Sequence, residues 1–181
     1  FLFTPKAKQA LDNFYARKDT LSLGICNGCQ LMMELGLLGV KGSMQHNISH
    51  KFESAFLSLS IPQNESVLFG SLSGNKLGLW VAHGEGRFAL PDPESAYNVV
   101  AKYNYHGYPA NPNGSDYDIA GICTADGRHL AMMPHLERAI FPWQMANYPE
   151  ERKHDDVTPW IEAFKLRSEE RRVGKECHSR W

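Results

Sequence analysis

The sequence predicts a single layered α/β domain, and three observations predict it. A short apolar run, Leu21–Ile25, passes at once into a stretch of helical periodicity, Asn27–Leu38, and several strand-like runs follow. That order of strand, helix and strands is the signature of layered α/β architecture. Of the 181 residues, 43% are hydrophobic, enough to bury a core and offset chain entropy, so disorder is disfavoured. No repeat, linker or low-complexity block interrupts residues 1–167, which suits one domain.

The elements follow in order. Pro5–Lys18 reads as a helix, with Ala7, Leu11, Phe14 and Tyr15 at helical spacing and Pro5 suited to a first turn. An α/β domain rarely opens on a helix, so strands are expected upstream of Phe1. Leu21–Ile25 reads as a buried strand. In Asn27–Leu38, residues Leu31, Leu35 and Leu38 share one face, with Met32 beside them. Phe52–Ile61 alternates loosely and is ended by Pro62, which suits a strand. Leu77–Ala82, Asn98–Tyr103, Ile119–Thr124 and His129–Met133 are further strand candidates. Tyr108–Ser115 is dense in turn formers. Asp155–Leu166 reads as a late helix with Val157, Trp160, Ile161 and Phe164 on one side. Ser168–Trp181 has almost no apolar periodicity and resembles translated adaptor or vector sequence. Residues 168–181 are therefore expected to be a non-native tail and take no part in the fold.

Charge and cysteine usage narrow the function. The 19 basic and 20 acidic residues leave a formal net charge of -1, so no strongly basic surface points to nucleic acid. The longest charge-free stretch, Thr20–Met33, is shorter than the about 20 apolar residues a membrane helix needs. Cys26, Cys29, Cys123 and Cys177 are too few and too scattered for a disulfide scaffold, which suits a reducing, cytoplasmic setting.

Gly24-Ile-Cys26-Asn-Gly28 carries the most chemistry. It falls where a strand hands over to a helix and fits an elbow that thrusts its central side chain out on a tight turn. Both glycines are expected to remove Cβ groups where backbone and neighbouring elements come close. The unpaired N–H groups of the helix starting at Asn27 should lower the thiol pKa and could stabilise an oxyanion. Three other readings stand beside this one. Cys26 could be a small buried hydrophobe, half of a redox pair with Cys29, or part of a zinc set with Cys29, His46 and His50. A long apolar helix fills the gap where a zinc finger would have a hairpin.

A nucleophilic thiol needs a proton carrier, and 8 histidines offer candidates. His135 follows an apolar strand and Pro134, and Glu137, two residues on, could accept from its other ring nitrogen. Spacing alone also allows His135 to be an ordinary capped surface residue.

Four stretches in order, Cys26-Asn-Gly-Cys-Gln30, Ala82-His-Gly-Glu-Gly-Arg87, Tyr108-Pro-Ala-Asn-Pro-Asn-Gly-Ser115 and Met133-Pro-His-Leu-Glu-Arg138, carry a resemblance. The chain resembles the class I (triad) glutamine amidotransferase family. More narrowly, it resembles the branch joined to a purine-pathway synthetase. The resemblance implies a flavodoxin-like α/β fold with a mixed, mostly parallel central sheet. The family's first strands, and a Gly-rich loop carrying a second oxyanion donor, would precede Phe1. It implies Cys26 as nucleophile, His135 as proton shuttle and Glu137 as its orienter, with glutamine as substrate. Asn27 would donate its N–H to the oxyanion, Gln30 would contact bound glutamine, and His83 and Gly84 would grip the amino-acid end. His83 could equally be a turn residue at a strand end. The turn Tyr108–Ser115 is given no chemistry.

The same resemblance implies no metal or cofactor within this chain. ATP and magnesium would act in a synthetase region that turns formylglycinamide ribonucleotide into its amidine with the released ammonia. A glutaminase serving another acceptor and a catalytically inert docking fragment are the rival readings. Family members often have proline between the histidine and the glutamate; Leu136 stands there, which predicts a looser link.

Overall fold

Thr4 opens the first helix, α1 (Pro5–Ala16), by accepting a hydrogen bond from the Ala7 N–H at 3.4 Å, with Pro5 in the first turn where its missing N–H costs nothing. The structure is a computed structural model and describes residues 4–165. The expected tail at 168–181 therefore lies outside the described residues. Helix α1 ends two residues before Lys18, where Arg17 turns extended. None of its residues is fully buried. Tyr15 stacks on His129 at 4.1 Å between ring centroids and accepts a hydrogen bond from Ser22.

Strand β1 (Ser22–Ile25) leads directly into α2 (Asn27–Glu34). Helix α2 stops four residues short of Leu38 because Gly36 and Gly39 take φ of 67° and 68°, a left-handed turn that glycine enters without a Cβ clash. Strands β2 (Ser43–Gln45), β3 (Glu53–Ser60), β4 (Lys76–His83), β5 (Arg87–Ala89), β6 (Asn98–Tyr103), β7 (Ile119–Cys123) and β8 (His129–Met132) follow. Strands β2 and β5 form a separate two-stranded ribbon. Neither was expected, since three residues of alternating exposure leave no apolar run to read.

The main sheet runs β1-β8-β7-β6-β3-β4. The α/β class and the mixed sheet agree with expectation, but the strand directions do not agree with a mostly parallel sheet. Among the described residues only β1 and β8 pair parallel; β3/β4, β3/β6, β6/β7 and β7/β8 are antiparallel. The cause is connection length. A parallel neighbour needs a crossover of a dozen or more residues, whereas β7 reaches β8 through only Thr124–Arg128.

Two apolar clusters cover the sheet's faces. Helix α2 lays Cys29, Met32 and Met33 over Ile119, Ile122 and Met133. On the other face Leu59, Leu79 and Val100 pack with Phe69 and Trp160. The late helix begins at Pro159 rather than Asp155, because Thr158 caps it by accepting from the Trp160 N–H at 3.3 Å; Leu166 lies outside the described residues. Trp160 is fully buried, its ring 5.6 Å from that of Phe69, and its Nε1 donates to the Gly78 carbonyl at 2.9 Å. Trp160→Ala removes that packing and the hydrogen bond to the half-buried Gly78 carbonyl. A loss of about 3–5 kcal/mol in unfolding free energy is expected. Urea titration followed by circular dichroism measures it, and a loss under 1 kcal/mol would show that this face contributes little.

The sheet curls. Beyond β8, the His135 N–H donates to the Trp80 carbonyl on β4 at 2.8 Å, although β8 and β4 lie four strands apart. This brings the C-terminal ends of β1 and β8 against the far edge strand.

Candidate active site

The chain reverses at Cys26 with φ 52° and ψ −105°. A non-glycine residue held there is strained by about 1–3 kcal/mol, so its surroundings must over-determine it. They do: the Cys26 N–H continues the ladder by donating to the Met132 carbonyl at 2.9 Å, and its carbonyl accepts from the Gln30 N–H at 3.1 Å to start α2. Gly24 has the expected steric role, since a Cβ there would run into Met32 Sδ and the Gly28 carbonyl. Gly28 does not: a Cβ there would meet nothing within 4 Å. The expectation of a close approach at both glycines is corrected for the second, whose Cα side faces open space.

The thiol donates to the Ala82 carbonyl at 3.8 Å. Burial pushes its pKa up from the ordinary thiol value. The Asn27 N–H and Arg138 act in the opposite sense, and Glu137 adds to the rise. The expected lowering at the helix start is therefore corrected, because one backbone N–H and the Arg138 guanidinium do not outweigh loss of water around the sulfur. Burial thus favours the protonated form of the sulfur over the thiolate. Cys29 and Cys123 are buried, and burial pushes both further up, Cys123 to about 11. All three are free. Cys26, Cys29, His46 and His50 are not gathered: among the described residues no three His, Cys, Asp or Glu side chains form a metal-sized group.

His135 is 8% exposed and its Nδ1 lies 2.6 Å from Glu137 Oε1. Nε2 is buried and has no hydrogen-bond partner among the described residues. Leu136 does not loosen this link. It is fully buried in the core, and the Arg138 N–H closes a 3-10 turn onto the His135 carbonyl at 3.2 Å. Apolar packing thus supplies the rigidity that proline would supply through its ring. The thiol and the His135 backbone dock on carbonyls two residues apart on β4, a spacing of about 7 Å along a strand. In this resting arrangement the thiol bonds Ala82 rather than His135 Nε2, a looseness common before substrate enters.

The stretches expected to bind substrate meet at the same end of the sheet. Gln30 Nε2 donates to the Glu85 carbonyl at 2.8 Å, and Asn27 Nδ2 donates to Gln30 Oε1 at 3.2 Å. Gly84 is half-buried and Glu85 exposed; among the described residues neither backbone N–H has an acceptor. His83 itself points inward. It ends β4 opposite Glu53, is 3% exposed, and lies against Gly86. Among the described residues neither of its ring nitrogens has a partner, nor does Glu53 Oε1.

Burial, with a smaller push from His135 against the pull of Glu53, lowers the His83 pKa to about 4. The unfolded chain therefore binds a proton at His83 between about pH 6.5 and 4 while the folded chain does not, so stability must fall as pH drops through that window. The slope approaches about 1.4 kcal/mol per pH unit at its steepest. Urea midpoints taken from pH 7 to pH 4.5 should fall for the wild type and fall less for His83→Gln. Parallel curves would remove His83 from the acid sensitivity.

Sequence reasoning passed over Arg138, although it sits in the histidine motif and acts on the thiol's charge. It also passed over Asn47, a buried polar residue with no periodic or motif signal.

Residues 1–168 match the family model described as the CobB/CobQ-like glutamine amidotransferase domain. The chain is similar to the phosphoribosylformylglycinamidine synthase of Dictyostelium discoideum, at 38% identity over 187 residues, 90% of this chain and 14% of that protein. It is 41% identical over 169 residues to the synthase of the same name from Drosophila melanogaster, covering 82% of this chain and 12% of that one. The chain thus spans only a small part, 12–15%, of the curated relatives. Among solved structures, that of PurLQS from Thermotoga maritima superposes with a TM-score of 0.62 at 31% identity, over 82% of this chain and 61% of that one. A glutamine amido transferase from Methylobacillus flagellatus, at 12% identity and a TM-score of 0.50 over 92% of this chain and 65% of that one, shares the fold.

Proposed function

The chain belongs to the CobB/CobQ-like glutamine amidotransferase domain family, and on that premise we propose that Cys26, His135 and Glu137 hydrolyse glutamine to supply ammonia for amidine formation on formylglycinamide ribonucleotide. The observation that carries the reading is the strained Cys26 elbow sharing one strand edge with an imidazole whose Nδ1 is held 2.6 Å from a carboxylate.

His135 Nε2 takes the thiol proton as Cys26 Sγ attacks the side-chain amide carbon of glutamine. The developing oxyanion is met by the Asn27 N–H. His135 passes the proton to the departing nitrogen, ammonia leaves, and a γ-glutamyl thioester remains. Water, deprotonated by His135, opens the thioester to give glutamate and the free thiol. Glu137 accepts from Nδ1–H throughout, which fixes the tautomer and steadies the imidazolium. A raised thiol pKa fits this scheme, because the thiolate is made only when the base takes its proton. Gln30 and the free Gly84 N–H would hold the substrate, and the buried His83 would shape the loop from beneath.

The acceptor is assigned from the phosphoribosylformylglycinamidine synthases, to which the chain is 36–41% identical. ATP and magnesium are assigned to a partner synthetase region, where the acceptor is activated. Free cysteines and a working thiol suit a reducing cytoplasmic setting, and no helix among the described residues is long and apolar enough to cross a membrane. The test combines the protein with such a synthetase region, ATP, magnesium and formylglycinamide ribonucleotide. Glutamine-dependent amidine formation with matching glutamate release is expected; glutamate release with no amidine would point to another acceptor.

A further inference from the structure

The end of β4 and the loop that follows it are tied back through their carbonyls. Five carbonyls in a row are each taken by a donor from elsewhere in the chain. Ala82 receives the Cys26 thiol, His83 the Asn47 Nδ2 at 2.8 Å, Gly84 the Asn47 backbone N–H at 2.9 Å, Glu85 the Gln30 Nε2 at 2.8 Å and Gly86 the Asn113 Nδ2 at 2.6 Å. Asn47 also accepts from the Gly86 N–H at 3.0 Å. One side chain therefore spans the loop from residue 83 to residue 86, and its own backbone fixes residue 84. Asn47 and Asn113 are both fully buried, so their side-chain bonds to His83 and Gly86 are made away from competing water.

We propose that Asn47 is the positioning residue for glutamine, with the Tyr108–Ser115 turn as its brace. The inference rests on the glutaminase reading above and adds a residue and a motif that the reading does not use. With these carbonyls tied back, the Gly84 and Glu85 N–H groups are left without acceptors among the described residues, between the carbonyls that hold the Cys26 thiol and Gln30, and are available to a carboxylate. The turn acts through Asn113, whose Nδ2 bridges the Gly86 carbonyl and the Tyr103 hydroxyl, while its Oδ1 accepts from the Ser115 N–H and hydroxyl. The hydroxyl of Ser115 accepts in turn from the Phe88 N–H at 3.0 Å. The density of turn formers in this stretch thus serves to aim amide groups at the loop. Asn47 does not touch the reacting atoms; it acts through backbone placement, where shifts of about 1 Å can cost up to about 100-fold.

The test compares two electrophiles on the wild type and Asn47→Ala. Iodoacetamide reads the thiol alone, whereas a glutamine-shaped chloroketone also needs the loop. Asn47→Ala should slow chloroketone labelling of Cys26 by about tenfold or more and raise the glutamine KM by a similar factor, with iodoacetamide labelling and kcat changed less than about threefold. Equal slowing with both reagents, or no slowing with either, overturns the proposal. If Asn47→Ala does not fold, Asn113→Ser is judged by the same two reagents and the same outcomes. A wild-type protein whose Cys26 is labelled no faster by the chloroketone than Cys29 or Cys123 overturns the glutaminase reading and the inference with it. A wild type that discriminates, beside a variant that still does so equally, overturns the inference alone.

Discussion

Cys26→Ala is expected to abolish glutamine hydrolysis, lowering kcat by about 10⁴-fold or more, because no other described thiol can take over. Cys29 and Cys123 are buried among apolar side chains, and neither sits on a turn that presents its sulfur. The substitution leaves the backbone bonds of the elbow in place, since the Met132 and Gln30 contacts are made by main-chain atoms. Folding stability should therefore change by less than about 1 kcal/mol, which separates chemistry from structure. Glutamate release measured with a coupled dehydrogenase checks the rate, and a urea titration checks the fold. Residual turnover above about 1% of wild type would exclude Cys26 as the nucleophile.

The second large effect is expected at the imidazole and its carboxylate. His135→Asn removes the imidazole that the Glu137 carboxylate holds beside the strand docking the thiol, and kcat should fall by about 10³-fold or more. Glu137→Gln should cost less, about 10²-fold, since Glu137 is 51% exposed and water can replace part of its role. Because the thiol pKa is raised, the His135 variant should recover some rate as pH is increased, when solvent hydroxide makes the thiolate directly. A rate for His135→Asn within tenfold of wild type across pH 7–9 would show that the proton travels by another route.

The long strands and the helix that carries the elbow were legible because their signals are local. Leu21–Ile25, Leu77–Ala82 and His129–Met133 are apolar runs, and such a run is legible without its partner, whether it is buried on both faces like β8 or alternates like β4. The ribbon of β2 and β5 was not legible, since each strand has three residues and depends on the other for its existence. Strand direction was also hidden. It follows from how the chain returns after β3, β6 and β7, which is a property of connections rather than of strands.

The site divides in the same way. Cys26, His135 and Glu137 were singled out by their order and by the family resemblance, and the structure brings the Cys26 thiol and the His135 backbone to one strand with His135 Nδ1 against Glu137. The thiol's pKa could not be read, because helix-start stabilisation is visible in sequence whereas burial of the sulfur and the repulsion from Glu137 depend on segments that meet only in the fold. Leu136 looked like a weakening of the motif and turns out to be anchored in the core. Asn47 is the clearest case of an illegible residue. Its polarity predicts a surface position, and only the unpaired backbone groups of the loop explain its burial.

The most direct measurement is an acid quench of the protein during turnover with isotopically labelled glutamine, followed by peptide mass spectrometry. The account predicts a γ-glutamyl thioester on the peptide containing Cys26, formed before glutamate appears and absent from the peptides of Cys29 and Cys123. Glutamine hydrolysis with no label on Cys26, or with label on another residue, would contradict it.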